Sequence, residues 1–117
     1  LVVDDSLSVR TLMDIEVKLS GLQVDLAGSA TQAYELLSRN SYAIVFLDVI
    51  LPDGDGYQIC RSVKQDKNRK QTPVIMLTSK SSPFDRIRGR LSGCNSYLGK
   101  PVDHATLQKT IQQYLKR

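Results

Sequence analysis

Five short apolar runs alternate along the chain with five stretches whose apolar residues recur at helical spacing. Leu1-Val2-Val3 predicts a first strand, ending at once in Asp4-Asp5. Val9, Leu12, Met13 and Val17 then fall at i, i+3, i+4 and i+8, one apolar stripe of a helix that Ser6 or Ser8 can cap and Gly21 can stop. Leu22 to Ala27 alternates apolar and polar residues, which predicts a second strand nearer a sheet edge. Gly28-Ser29 breaks it, and Ser29 caps a helix that turns Ala30, Ala33, Leu36 and Leu37 inward.

Tyr42-Ala43-Ile44-Val45-Phe46-Leu47-Asp48 departs from that alternation. A continuous β-branched and aromatic run bounded by turn residues (here Pro52, Gly54 and Gly56) predicts a strand buried on both faces, as in the middle of a parallel sheet. Gly54 to Gly56 open a third helix with Ile59, Cys60 and Val63 as its buried stripe, so Cys60 is core packing and not a reactive thiol. Gln65 to Thr72 is a polar loop, and Pro73 to Leu77 a fourth strand running out at Thr78-Ser79. Phe84, Ile87 and Leu91 mark a fourth helix closed by Gly93; Asn95 to Leu98 is a fifth strand, leading into Gly99-Lys100-Pro101. Asp103 caps a last helix carrying Leu107, Ile111 and Leu115. Strand and helix alternate five times, and right-handed crossovers then require an α/β architecture, a parallel sheet with helices on both faces.

Bulk properties narrow this without redirecting it. The 117 residues suit one domain, and 41% hydrophobic with 24% charged residues are ordinary globular values. No apolar run is long enough to span a bilayer and no signal peptide is visible, so a cytoplasmic setting without membrane attachment is expected. Cys60 and Cys94 are far apart with no metal or redox spacing. The net charge of +4 is spread over Lys64, Lys67, Arg69 and Lys70 in a loop and Arg86, Arg88 and Arg90 on a helix; aromatics, at 6%, do not interleave with it. Solvated faces are expected, not a nucleic-acid surface. Leu1 already belongs to an apolar run, so residues 1–117 are read as one domain with its first strand truncated, either part of a longer polypeptide or trimmed.

The chemistry lies at the strand ends: Asp4 and Asp5 after the first, Asp48 after the third, Thr78 after the fourth and Lys100 after the fifth. In a parallel sheet these share one rim, where ligands of open α/β sheets collect. Any one of them alone is explained as a turn former, a cap or a solvated side chain. Together, three carboxylates repel one another unless a cation joins them, and hard oxygen ligands on an open rim suit Mg²⁺. An ammonium and a hydroxyl beside them complete a set able to stabilise a transferring phosphoryl group.

Val2-Val3-Asp4-Asp5-Ser6, Asp48-Val49-Ile50-Leu51-Pro52-Asp53-Gly54-Asp55-Gly56, Leu77-Thr78-Ser79 and Tyr97-Leu98-Gly99-Lys100-Pro101 resemble the signatures of the response-regulator receiver domain of two-component signalling. The resemblance covers essentially the whole chain. It implies a flavodoxin-like (βα)5 doubly wound sheet, five parallel strands in the order 2-1-3-4-5. It implies that Asp48 accepts a phosphoryl group from a phosphohistidine. Asp5, Asp48 and the backbone carbonyl of Ile50 would bind Mg²⁺, with Asp4 acting through water. Lys100, before a cis bond to Pro101, would pair with phosphoryl oxygens. Thr78 would swing in and Tyr97 follow, altering the surface of the fourth helix, fifth strand and fifth helix.

The partners so implied are a sensor histidine kinase or histidine phosphotransfer protein upstream and an effector protein or fused output domain downstream, with room for a phosphorylation-linked dimer. The domain would not be a turnover enzyme, though it would catalyse its own phosphorylation and dephosphorylation. Ile50 and Lys80, each two residues beyond Asp48 and Thr78, occupy positions that in the family influence hydrolysis of the phosphoryl group; Ile50 is expected to shield it from water. Leu51 stands where Met is frequent, a volume-conserving difference. A flavin carrier on the same strand order is disfavoured because Asp4-Asp5 would repel a cofactor phosphate. Asp53 to Gly56 resembles a calcium loop only weakly: with Gly56 at the glycine position, Leu51 and Ser62 fall where acids are needed.

Overall fold

A computed structural model describes residues 1–79 and 84–115. The elements run β1 (Val2–Val3), α1 (Leu7–Leu19), β2 (Leu26–Ala27), α2 (Ala30–Arg39), β3 (Val45–Asp48), β4 (Ile50–Leu51), β5 (Gly54–Asp55), α3 (Gly56–Gln65), β6 (Val74–Thr78), α4 (Arg86–Ser92), β7 (Ser96–Gly99) and α5 (His104–Leu115). The central sheet has the order β2-β1-β3-β6-β7 with every pairing parallel, and β4 and β5 form a separate antiparallel hairpin. Counting only the strands of the central sheet, this is the flavodoxin-like order 2-1-3-4-5. Lys80, expected to influence hydrolysis, lies outside the described residues.

β3 is buried along its whole length, as a strand at the centre of two layers must be. Its alternate side chains divide the core. Val45 and Leu47 join Val3, Val74 and Met76 against α2 and α3; Phe46 joins Val2, Ile75 and Leu77 against Met13 and Val17 of α1 and Leu107 and Ile111 of α5. Cys60 is fully buried in the first of these layers, where its thiol donates to the Ser92 carbonyl and burial pushes its pKa up to about 11.

The helix ends follow local chemistry. Ser6, not Ser8, caps α1; Ser29, Asp55 and Asp85 cap α2, α3 and α4; Asp103 accepts from the Thr106 amide at the start of α5. Gly21 and Gly93 have φ of 81° and 82°, the left-handed conformation that glycine adopts without penalty at helix ends. The Asp53 to Gly56 run is the hairpin and the α3 cap. His104 is exposed in the first turn of α5 and bonds to Glu16 of α1.

Four details differ from the sequence reading. β2 is only Leu26–Ala27, because its one partner, β1, offers two ladder positions; Leu22 and Val24 pack half-buried on the α1–α5 layer without joining the sheet. Leu12 is exposed, being one residue and so about 100° around the helix from Met13, which is buried. Ile87 and Leu91 mark α4 correctly but are 73% and 67% exposed. The buried face of α4 is Gly89 and Ser92, selected by size: a Cβ on Gly89 would come within 2.2 Å of the Phe84 ring. Finally, Lys64 belongs to α3 and not to the loop after it.

Candidate functional site

Parallel pairing carries the ends of β1, β3, β6 and β7 to one rim. Asp4 follows β1 with its amide on the Ala27 carbonyl (3.0 Å), and its carboxylate is wholly buried. Asp5, the next residue, is exposed. Asp48 ends β3 and is only 3% exposed. One carboxylate oxygen from each of Asp4, Asp5 and Asp48 lies within 4.8 Å of the other two.

Lys100 reaches this cluster from the end of β7. Its amide donates to the Thr78 carbonyl at 2.6 Å, which fixes the backbone next to β6, and its bond to Pro101 is cis. The ammonium stands 2.6 Å from Asp4 Oδ2 and 3.3 Å from Asp48 Oδ2. Burial opposes its charge, but Asp4 and Asp48 together outweigh that effect and raise its pKa.

Asp48 is pushed the other way for an acid. Burial first, then the charge of Asp4, raises its pKa; Lys100 and, more weakly, the Ile50 amide oppose them. That amide stops short of a hydrogen bond, and Asp48 Oδ1 is buried with no donor. Asp4 Oδ2, by contrast, is paired with the Lys100 ammonium. A buried carboxylate oxygen in the condition of Asp48 Oδ1 is rare and invites a cation. The donor set is all oxygen and half-open to solvent, as a magnesium ion that keeps some of its water requires.

The sequence reading named neither of two flanking contacts. The Ser6 amide donates to Asp4 Oδ1 at 2.9 Å, a local turn that Asp-x-Ser could have suggested. Arg10 Nη1 donates to the Asp4 carbonyl at 2.8 Å and brings a positive charge to the acid pair from one turn into α1.

Thr78 ends β6 on the rim, and Tyr97 lies further back along β7, opposite Met76. The Thr78 hydroxyl donates to the Leu98 carbonyl at 3.4 Å, a long bond that is easily given up. Tyr97 is 45% exposed and its ring stacks on Phe84 with centroids 4.3 Å apart. Ile50, two residues past Asp48, is 55% exposed. At Gly56 the backbone passes so close to the Asp48 carbonyl that a Cβ would lie 2.2 Å from that oxygen. This glycine lets α3 start directly beneath the acidic strand end.

Comparison with known proteins places the chain. The family model for the response regulator receiver domain matches residues 1–112. Response regulator Rre1 of Synechocystis is 36% identical over 118 residues, covering 100% of this chain and 51% of that protein. The transcriptional regulatory protein SrrA of Staphylococcus aureus is 33% identical over 117 residues, covering 100% of this chain and 47% of its own length. The chain therefore spans about half the length of these curated relatives. Among solved structures, the chemotaxis response regulator CheY4 of Vibrio cholerae superposes with a TM-score of 0.88 at 30% identity, over 97% of this chain and 95% of that one. The receiver domain of the sensor histidine kinase PA1611 of Pseudomonas aeruginosa, described with a magnesium ion coordinated in its active-site cleft, superposes with a TM-score of 0.87 at 29% identity, over 99% and 95% of the two chains. Among the described residues, no helix is long and apolar enough to cross a membrane.

Proposed function

Because the chain belongs to the response regulator receiver domain family of two-component signalling, we propose that it is a phosphoacceptor switch in which Asp48 takes the phosphoryl group. The observation that carries this reading is the Lys100 ammonium 3.3 Å from a buried Asp48 whose other oxygen has no donor. Phosphohistidine of a sensor kinase or a histidine phosphotransfer protein is the donor. An Asp48 oxygen attacks phosphorus in line, the P–N bond breaks, and its electron pair returns to the imidazole. Lys100 exchanges its carboxylate contacts for the phosphoryl oxygens, and the Thr78 hydroxyl leaves the Leu98 carbonyl to donate to them.

Asp5, Asp48 and the Ile50 carbonyl would hold Mg²⁺, with Asp4 acting through water. When bound, the ion supplies positive charge for the phosphoryl oxygens and offsets repulsion among the acids. Loss of the Thr78 contact frees the end of β6, and Tyr97 leaves its stack on Phe84 to turn inward. The face built from α4, β7 and α5 then presents a different surface to an effector protein, an output domain on the same polypeptide or a second copy. The domain modifies itself and does not turn over a substrate.

Incubation with a small acyl phosphate and Mg²⁺ tests this. The protein should gain one phosphoryl group by mass, and a chelator should prevent the gain; labelling indifferent to the chelator would overturn the reading. The exposed Ile50 side chain beside the acceptor also supports slow self-hydrolysis, by shielding the acyl phosphate from water. Ile50→Asn should release phosphate several-fold faster after removal of the donor, and an unchanged decay would show that the shield is elsewhere.

A further inference from the structure

The hairpin that carries Ile50 is held at its base and at its tip. At the base, the Gly56 amide donates to the Val49 carbonyl at 2.7 Å, and Ile50 and Leu51 pair with Asp55 and Gly54. At the tip, Asp53 leaves its own hairpin and crosses to the N-terminus of α2. Its Oδ1 accepts from the Ala30 amide at 2.7 Å, and its Oδ2 accepts from the Thr31 amide at 3.0 Å and the Thr31 hydroxyl at 2.6 Å. The Thr31 hydroxyl, then the Thr31 and Ala30 amides, hold the Asp53 carboxyl down to about 2, so the clamp is anionic at any physiological pH. Ser29 accepts from the Gln32 amide at 3.2 Å, the Gly28 amide donates to Gln32 Oε1 at 2.7 Å, and Asp53 takes the Ala30 and Thr31 amides that Ser29 leaves open. Unlike Ser29, Asp53 also fixes the distance between α2 and the tip of the hairpin.

We propose that Asp53 is a positioning residue for the metal, clamping the β4–β5 hairpin to α2 so that the Ile50 carbonyl stays on the acidic rim. This rests on the proposed magnesium site. The clamp touches no ligand and acts through the backbone between residues 50 and 53. Three charge-assisted hydrogen bonds to a packed helix restrain a hairpin of two residues a side that alone would be marginal. Only one backbone oxygen joins the site from this hairpin, so a shift of its strand by a fraction of an ångström would be read directly as lost affinity.

The test is a calorimetric Mg²⁺ titration of the unphosphorylated protein, with thermal melting and amide hydrogen exchange at residues 50–55. Asp53→Ala should weaken Mg²⁺ binding about tenfold, as loss of an outer support for a metal ligand does, and speed exchange in the hairpin. Thr31→Val, which removes one of the three bonds, should do so by a smaller factor. Ser29→Ala is the discriminating variant, because it uncaps the same helix without touching the hairpin: it should lower the melting temperature and leave the Mg²⁺ affinity alone. An Asp53→Ala protein that binds Mg²⁺ as the parent does, or a Ser29→Ala protein that loses as much affinity, overturns the inference while leaving the magnesium site standing. A parent that takes up no Mg²⁺ overturns the site and the inference together.

Discussion

Asp48→Asn is expected to yield a protein that accepts no phosphoryl group yet melts higher than the parent in magnesium-free buffer. The first half follows from removing the nucleophile. The second follows from the cost of the charge it removes. Asp48 is buried, one of its oxygens has no donor, and Asp4 is a like charge beside it. An acid whose pKa is raised by folding stabilises the fold below its unfolded value and loses that contribution as pH climbs through the folded value. At neutral pH the ionised Asp48 therefore works against the fold, and the neutral amide removes that opposition. Lys100 gives up its 3.3 Å contact but keeps the 2.6 Å contact to Asp4, so the substitution does not strand a cation. A gain of roughly 4 °C is expected, the size that about 1 kcal/mol has in a domain of this length. Because the opposition comes from the ionised Asp48 carboxyl, the gap should close as pH falls into the ordinary aspartate range. Mg²⁺ should narrow or reverse it at neutral pH by binding the folded parent more tightly than the variant. Thermal melts across pH, with and without Mg²⁺, check all of this; a variant that melts lower without Mg²⁺ would mean that Lys100 outweighs burial and repulsion at Asp48.

The parts of the fold that rest on periodicity were legible before any coordinates. The unbroken apolar run ending at Asp48 specified a strand buried on both faces, and both core layers draw on it. Alternating strands and helices then forced the acids and Lys100 onto one rim, because parallel strands share an orientation. What sequence could not supply was anything set by contacts across the chain. Ile87 and Leu91 have the spacing of a buried stripe, yet α4 turns Gly89 and Ser92 inward because Phe84 fills the space above it. Asp53 looks like an ordinary turn residue, and its partners Ala30 and Thr31 lie 23 and 22 positions away. The hairpin itself is two residues a side, too short to show an alternating pattern. Arg10, seven residues before buried Val17, lies half-buried beside the inward face of α1; only its hydrogen bond to the Asp4 carbonyl makes it a support for that acid.

Lys100→Met should separate the two tasks of that ammonium. Its side chain is 15% exposed, and Asp4 and Asp48 beside it are buried. Methionine keeps the length and volume of the stem and removes only the charge. The acids then lose the ammonium that contacts two of them, and removal of one partner from a buried ion pair costs about 3–5 kcal/mol. That loss should be large in magnesium-free buffer and recovered as Mg²⁺ is added, since an ion that binds only the folded state adds stability by mass action. The melting temperature of the variant should therefore climb more steeply with Mg²⁺ than that of the parent. The second task is not recoverable. At Mg²⁺ concentrations where the fold is restored, phosphorylation from a small acyl phosphate should stay about 10²–10³-fold slower, the usual effect of losing one donor aimed at charge that develops during transfer. If saturating Mg²⁺ restored the rate along with the fold, Lys100 would be a counter-ion for the acids and nothing more. Its backbone argues otherwise: the bond to Thr78 pins the start of its side chain to the neighbouring strand, which aims the ammonium at the acceptor oxygen before any phosphoryl group arrives.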